Sequence, residues 1–465
     1  MKKIFNLLEV KLDQLNKPLT KEQLETFVYS LFCAIIFITP VFKDVYNIGM
    51  YSLKTTIFNL TTIITSVALI IINKEKIRIL KNIRDIKLNI YSILLVVYLL
   101  LVTLSTIFTK CGIMECILGT NGRGEGTITI FSYIATFIIF CKGYTKMKGV
   151  SVIAIIAAVI VGLFAIYQSY LPNDKIVPFL HSKIGDMVGA TIGNPNFLSS
   201  YICIFLPMAC FYFISSNTWK KNTIVIIIVL FLGLLTTVTL GGYITFAFVY
   251  LIMSIVSMIL SKNRKKTLKR IIILTLIIGV AFIANDFTHS NKYSESVYES
   301  RVEVENLIEK KDDFGTGRAK IWKKTFMVIK EYPIWGVGPD SFGKVVNQSK
   351  YVTEGANDYL YSYRIDKAHC EPLQIAVTTG VFSAILYLIL VFSITIEMLV
   401  LAIKKVNKNG LENKEARTTT MILICLVSYL IQGCCNISVV QVAPIFWAIL
   451  GTALGTIQNS KISTL

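Results

Sequence analysis

The chain repeats apolar runs close to the length of about 20 residues that a helix needs to cross the hydrocarbon core of a bilayer. Hydrophobic residues fill 54% of the 465 positions, charged residues fill only 16%, and the mean hydropathy is +0.64. This composition is typical of a polytopic membrane protein and excludes a soluble domain. The sequence therefore predicts an all-α polytopic membrane protein.

Twelve runs are predicted to span the membrane, within a range of eleven to thirteen that the pattern supports. They are 27–42, 53–73, 88–108, 127–141, 149–168, 197–215, 223–239, 241–261, 271–285, 381–403, 418–434 and 438–458. The first, fourth and ninth runs are short. The break between the seventh and the eighth, at Gly241-Gly242, is weak.

The distribution of charge predicts the orientation of these spans. With the N-terminus inside, the inner segments hold 28 of the 47 Lys and Arg residues but only 8 of the 28 Asp and Glu residues. Cytoplasmic loops of membrane proteins carry such a basic excess. Both termini are thus expected in the cytoplasm, and the pI of 9.4 reflects topology rather than binding to nucleic acid.

A long polar stretch at 286–368 separates two apolar runs, and loops without function rarely grow that long. The predicted organisation is a cytoplasmic segment at 1–26, helices 1–9 at 27–285, an extracytoplasmic catalytic loop with a re-entry segment at 286–380, and helices 10–12 with a short tail at 381–465. The apolar spacing within 318–332 predicts an amphipathic helix that Pro333 stops. Residues 372–380 predict a short helix that ends at Gly380.

Two motifs before the long loop offer ligand-binding groups. Arg123 lies between glycines, and a guanidinium matches phosphate oxygens in a two-pronged way. The alternative is a solvent-exposed turn. Asn194 and Asn196 flank Pro195 and offer two amides, or they form a structural turn in which Asn196 caps the following helix.

Two further motifs lie in the long loop and at its end. Arg318 follows two glycines and opens the predicted helix, where it could help hold an anion, or it is a surface arginine. His369 could exchange a proton near neutral pH, with Glu371 as a second base or as a group that orients the imidazole. The alternative is an interfacial histidine beside a helix-capping glutamate.

The remaining histidines and the cysteines give weaker signals. His181 and His289 are expected to be surface residues. Cys111 and Cys116 share an external loop and could form a disulfide, although nothing in the sequence requires it. No Cys and His spacing resembles a zinc or iron–sulfur site, so no metal is expected.

Taken together, these motifs resemble the O-antigen ligase and polymerase superfamily of bacterial membrane glycosyltransferases. The run GTGRAKIWKKTFMVIKEYPIWGVGPDSF, followed later by KAHCEPLQIAVTTG, is similar to that family's signatures. The matching positions are Gly317, Arg318, Trp322, Pro333, Gly336, Gly338, Phe342, His369, Leu373 and Gly380. One departure is Cys370, which stands where the family usually has Asn.

The resemblance implies a GT-C-like fold and a reaction at the outer face of the bacterial cytoplasmic membrane. A glycan on a polyprenyl (undecaprenyl) pyrophosphate carrier passes to a hydroxyl acceptor with inversion, and neither a metal nor a nucleotide sugar is required. The acceptor is left open between a growing glycan, a lipid-anchored sugar and a protein hydroxyl.

The expected roles follow from this reaction. His369, with Glu371, accepts the acceptor proton, while Arg318 and Arg123 stabilise the leaving pyrophosphate. Substrate-binding roles are expected for Asn194, Asn196, Trp322, Trp335 and Tyr363. A polysaccharide flippase or other transporter remains the alternative from a different class, which the long asymmetric loop disfavours.

Overall fold

The computed structural model describes residues 20–44, 52–74, 89–120, 123–147, 149–172, 177–181, 183–216, 221–289, 292–295, 298, 305, 309, 317–348 and 365–462. Regular structure within these residues is helical, apart from an isolated antiparallel bridge between Ile184 and Met187. The protein is an all-α polytopic membrane protein, and the predicted fold class is confirmed.

A helix lies at each of the twelve predicted spans. These helices are α1 Lys21–Ile38, α2 Leu53–Ile72, α3 Ile90–Ile107, α5 Thr127–Gly143, α6 Val150–Ser169, α7 Pro195–Ser215, α8 Lys221–Leu235, α9 Leu240–Leu260, α10 Arg264–Thr288, α14 Val381–Asn409, α15 Lys414–Gly433 and α16 Ala443–Ile462. Shorter helices lie between them: α4 Ile113–Leu118, α11 Arg318–Glu331, α12 Phe342–Val346 and α13 Glu371–Thr379.

In the described part of the chain, 9 helices are long and apolar enough to cross a membrane. They are α1 with the 3-10 turn that extends it to Val41, α2, α3, α6, α7, α9, α10, α14 and α15. α5 and α8 are apolar but shorter. α10 has 25 residues, whereas the apolar run expected at 271–285 was short. The helix begins earlier because its first two turns are basic and therefore lie outside the apolar run. The count of twelve spans stays a prediction.

The helix α7 is the centre of the bundle and is buried over nearly all of its length. It packs against α8, α9 and α15. Its N-cap is Asn194, whose Oδ1 accepts a hydrogen bond from the Asn196 amide at 2.9 Å, while Pro195 takes the first helical position. The expectation that Asn196 caps this helix was therefore wrong, because the helix starts at Pro195, two residues earlier than a cap at Asn196 would allow.

The helices α5 and α16 pack so closely that glycine is needed at their contact. An ideal Cβ built on Gly451 would lie 2.3 Å from the carbonyl oxygen of Phe137. A Cβ on Gly455 would lie 2.5 Å from the carbonyl oxygen of Cys141. Small residues allow helix backbones to approach in this way within membranes.

The described residues 317–348 and 365–380 form a small folded layer at the end of the bundle. The predicted helices in it are confirmed as α11 and α13. The turn after α11 is bonded to α13, because the Val337 amide donates to Val377 O and the Gly338 amide to Thr378 O, both at 2.9 Å. Gly380 has φ +94, and a Cβ there would lie 1.9 Å from Ile334 O. α13 is thus fixed between this turn and α14.

We predict that Gly451→Ala lowers the thermal unfolding temperature in detergent. The added methyl group must push α5 and α16 apart, and overpacking of this kind costs about 1–3 kcal/mol. Gly279→Ala in α10 is the matched control, since nothing lies within 4 Å of its ideal Cβ. That control should be neutral or slightly stabilising. Equal effects of the two substitutions would contradict the close packing.

Candidate active site

A buried ion pair joins three loop segments at the site. Lys367 and Asp340 form a salt bridge with side-chain exposures of 4% and 1%. The Asp340 carboxylate also accepts hydrogen bonds from the Thr120 amide at 2.6 Å, the Thr120 hydroxyl at 2.9 Å and the Glu125 amide at 3.2 Å. The segments that hold Arg123, Asp340 and His369 are therefore tied to one buried carboxylate.

Arg123 lies on the turn that Asp340 holds in place. Its Nε donates to Asp366 Oδ2 at 2.8 Å, and its Nη2 donates to the same oxygen. Its guanidinium carbon lies 5.4 Å from the centre of the Phe197 ring in the first turn of α7. The structure thus brings the predicted arginine motif against the predicted Asn-Pro motif and adds a carboxylate that the sequence had not singled out.

His369 is held by its backbone. It has φ +49, a conformation that is uncommon for residues other than glycine. The backbone of the preceding residue is held on both sides, since the Ala368 amide donates to Gln374 Oε1 at 2.7 Å and Trp322 Nε1 donates to Ala368 O at 3.0 Å. Within the described residues, no group hydrogen-bonds to the imidazole itself. Its ring nitrogens are therefore available to a substrate.

Cations surround this imidazole. Burial and the positive charges of Arg318, Arg123 and Lys367 together lower the pKa of His369 to about 4, and Asp366 opposes this shift. Arg318 is the first residue of α11 and has the largest effect among the charged groups. The histidine is consequently neutral at physiological pH and able to accept a proton.

Glu371 faces away from the imidazole into the bundle. Its Oε1 accepts a hydrogen bond from the Tyr387 hydroxyl at 3.0 Å, and burial raises its pKa to about 7. With Glu125 it lines a cavity of about 60 Å³ beneath the ion pair. Glu125 accepts from the Tyr133 hydroxyl at 2.9 and 3.0 Å, and burial raises its pKa to about 8. Two buried carboxyl groups therefore lie below the surface that holds His369.

The other predicted substrate-binding residues serve visible structural contacts. Asn194 caps α7, and the Asn196 carbonyl accepts from Asn436 Nδ2 at 2.9 Å. Trp322 supports the His369 backbone, as described above. Trp335 stacks on Phe108 with ring centres 5.4 Å apart. Tyr363 lies outside the described residues. Their roles with substrate stay predictions.

Sequence reasoning missed the partners that complete the site. Lys367 and Asp340 were present in the quoted motifs, whereas Asp366 lies one residue before the second motif, and the pairings join positions far apart in the chain. The segment 434–442 was also missed, although Asn436 and Gln441 interrupt the apolar pattern there. Asn436 Nδ2 donates to Ser200 Oγ at 2.7 Å, and Gln441 Nε2 donates to Asp44 Oδ2 at 3.3 Å.

The cysteines and the possible metal ligands give no further site. Cys111 and Cys116 are free thiols, and Cys116 Sγ lies 2.9 Å from Thr109 Oγ1 and 3.0 Å from Ser341 Oγ. Among the residues that the structure describes, no group of three or more His, Cys, Asp or Glu side chains is arranged to hold a metal ion.

The fold and the site define a multi-pass membrane protein in which the charges of two arginines act on a neutral histidine within a layer of short helices and turns. Residues 225–388 match the family model described as O-antigen ligase, and this match confirms the resemblance to the O-antigen ligase superfamily. The matched region contains Arg318, His369 and Glu371, whereas Arg123 and Asn194 precede it. No curated protein matches the chain. The family suggests a membrane glycosyltransferase of the ligase or polymerase type.

We predict that Lys367→Met strongly destabilises the protein. Removal of the ammonium leaves the Asp340 carboxylate buried and unpaired, which costs about 3–5 kcal/mol. Lys344→Met is the matched control, because Lys344 pairs with Glu115 on the surface with side-chain exposures of 48% and 46%. An exposed pair contributes less than about 1 kcal/mol. Thermal unfolding in detergent compares the two, and similar losses would show that the buried pair is not the stronger constraint.

We predict that Glu371→Gln changes how stability depends on pH. The glutamate has a folded-state pKa of about 7 against an ordinary value of 4.5. Between these values the unfolded chain releases the proton and the folded protein keeps it, so stability falls as the pH rises through this window. Glutamine can still accept from Tyr387 but cannot ionise. The decrease in melting temperature from pH 5 to pH 8 should become smaller in the variant, and an unchanged decrease would contradict the burial effect.

Proposed function

We propose that the protein is an inverting glycosyltransferase that moves a glycan from a polyprenyl pyrophosphate carrier to a hydroxyl acceptor. The reaction takes place at the outer face of the bacterial cytoplasmic membrane, with both termini in the cytoplasm. The observation that carries this proposal is the convergence of Arg123, Arg318 and a neutral His369 in one site. Two guanidinium groups suit a pyrophosphate, and a neutral imidazole suits a hydroxyl proton.

The proposed step is a single displacement. The acceptor oxygen forms a bond to the anomeric carbon while the bond from that carbon to the pyrophosphate oxygen breaks. The acceptor proton passes to the His369 imidazole, and the polyprenyl pyrophosphate leaves with the bonding electrons. Because the attack comes from the face opposite the leaving group, the anomeric configuration inverts. Arg123 and Arg318 stabilise the negative charge that develops on the pyrophosphate.

Glu371 takes a different place in this scheme from the one that the sequence suggested. Its hydrogen bond to Tyr387 supports a role in fixing the start of α13, directly after the Cys370 peptide. A contribution to proton transfer would have to pass through the buried cavity, because the carboxyl group faces that cavity.

The bilayer supplies the route for the lipid carrier. An apolar groove of about 550 Å³ lies between α8 and α10 and ends at the polar side chains of Tyr170, Asn285 and Thr288. A prenyl chain has the chemistry to fill such a groove, because its lining is aliphatic. The groove supports a lipid-linked donor.

We expect His369→Ala to abolish transfer in a metal-free detergent assay that follows glycan lengthening on a lipid-linked donor. Arg318→Ala should reduce kcat by about 100- to 1,000-fold, by analogy with the removal of one donor to a developing oxyanion. Lys266→Ala is the control and should keep full activity, since Lys266 forms a surface ion pair with Glu412 in the first turn of α10.

The same assay identifies the class of acceptor. Lengthening of the lipid-linked glycan assigns a polymerase, and transfer to an added lipid or protein acceptor assigns a ligase or a protein glycosyltransferase. Full activity of folded His369→Ala and Arg318→Ala would overturn the site. Absence of transfer to every acceptor would overturn the transferase proposal in favour of a transporter.

A further inference from the structure

Asp366 contacts Arg123, the phosphate-binding arginine of the proposed site, and takes no part in the proposed displacement. Its Oδ2 accepts hydrogen bonds from both Nε and Nη2 of Arg123, and its side chain is 45% exposed. It lies on the segment 365–370, three residues before His369 and next to Lys367. Asp366 therefore binds the arginine and shares a short segment with the histidine.

The contact with Asp366 fixes the direction of the Arg123 guanidinium. One edge of the guanidinium is bound to Asp366, and one face lies over the Phe197 ring. These two contacts restrict the rotamers of the Arg123 side chain, which is otherwise flexible. Within the described residues, Nη1 has no hydrogen-bond acceptor. That group is left to donate to a phosphate without any rearrangement of the arginine.

Asp366 also balances the charge around His369. The groups that act on the imidazole are Arg318 from α11, Arg123 from the turn before α5, and Lys367 and Asp366 from its own segment. Three of them are positive, and Asp366 is the negative one. Lys367 is already paired with Asp340, whereas Asp366 is hydrogen-bonded to Arg123 and acts on the imidazole through its charge.

We propose that Asp366 is a positioning residue of the transferase site: its carboxylate holds Arg123 in place for the phosphates and supplies the negative charge that keeps His369 able to accept a proton. This inference rests on the proposed function. Asp366 touches neither the anomeric carbon nor the leaving group in this scheme, and it acts through Arg123 and His369. Arg123 and Lys367 keep the Asp366 carboxylate ionised, since they lower its pKa below the usual range although burial opposes this.

The test follows the titration of His369 directly. The chain contains only 3 histidines, so a histidine-selective ¹³C label gives few signals in detergent, and His369→Ala identifies the relevant one. Asp366→Asn should move the midpoint of the His369 titration to lower pH, because the opposing positive charges then act without the carboxylate. Arg318→Met should move it to higher pH. Glu115→Gln, which breaks a surface ion pair, is the matched control and should leave it unchanged.

Transfer kinetics form the second part of the test. Asp366→Asn should raise KM for the lipid-linked donor by about tenfold, as expected for a lost charged hydrogen bond to Arg123. Asp366→Glu should recover both the titration midpoint and KM in part. A midpoint that stays in place or rises in Asp366→Asn would overturn the inference. If the wild-type protein transfers no glycan, the proposed function fails, while the titration still decides whether Asp366 acts on His369.

Discussion

The salt bridge between Lys367 and Asp340 is the interaction on which the arrangement of the site depends. Both charges are almost fully buried, and each would be costly without the other. The Asp340 carboxylate also accepts hydrogen bonds from the Thr120 amide and hydroxyl and from the Glu125 amide. The position of the turn that holds Arg123 therefore depends on this carboxylate. Segments more than 200 residues apart in the chain consequently meet at one carboxylate, and the catalytic proposal follows from that meeting.

Much of the fold was predictable because the relevant signals are local. Apolar runs, the helical spacing of α11 and the proline and glycine that bound α11 and α13 each lie within a single short window. The partners across the site were not predictable in this way. Nothing near Arg123 shows that Asp366 is its acceptor, and the glutamate after Cys370 gives no sign that its side chain turns toward Tyr387. Such pairings are properties of the assembled tertiary structure.

The carboxyl groups of the site differ in charge according to their burial and their partners. Arg123 and Asp366 lie at the partly exposed surface, where water and a phosphate can reach them. Glu125 and Glu371 lie below, where burial favours their protonated forms. His369 is neutral as well. The site therefore combines a partly exposed arginine–aspartate pair with a buried layer in which the charges of Lys367 and Asp340 compensate each other.

The glycine at position 380 has a consequence for how the histidine relates to the membrane. α13 ends at Thr379 and α14 begins at Val381, so no flexible linker separates the peptide of His369 from a helix of 29 residues. At about 1.5 Å per residue this helix is about 43 Å long. The distance of the His369 peptide from the first turn of α14 is consequently fixed by helix geometry rather than by the conformation of a loop.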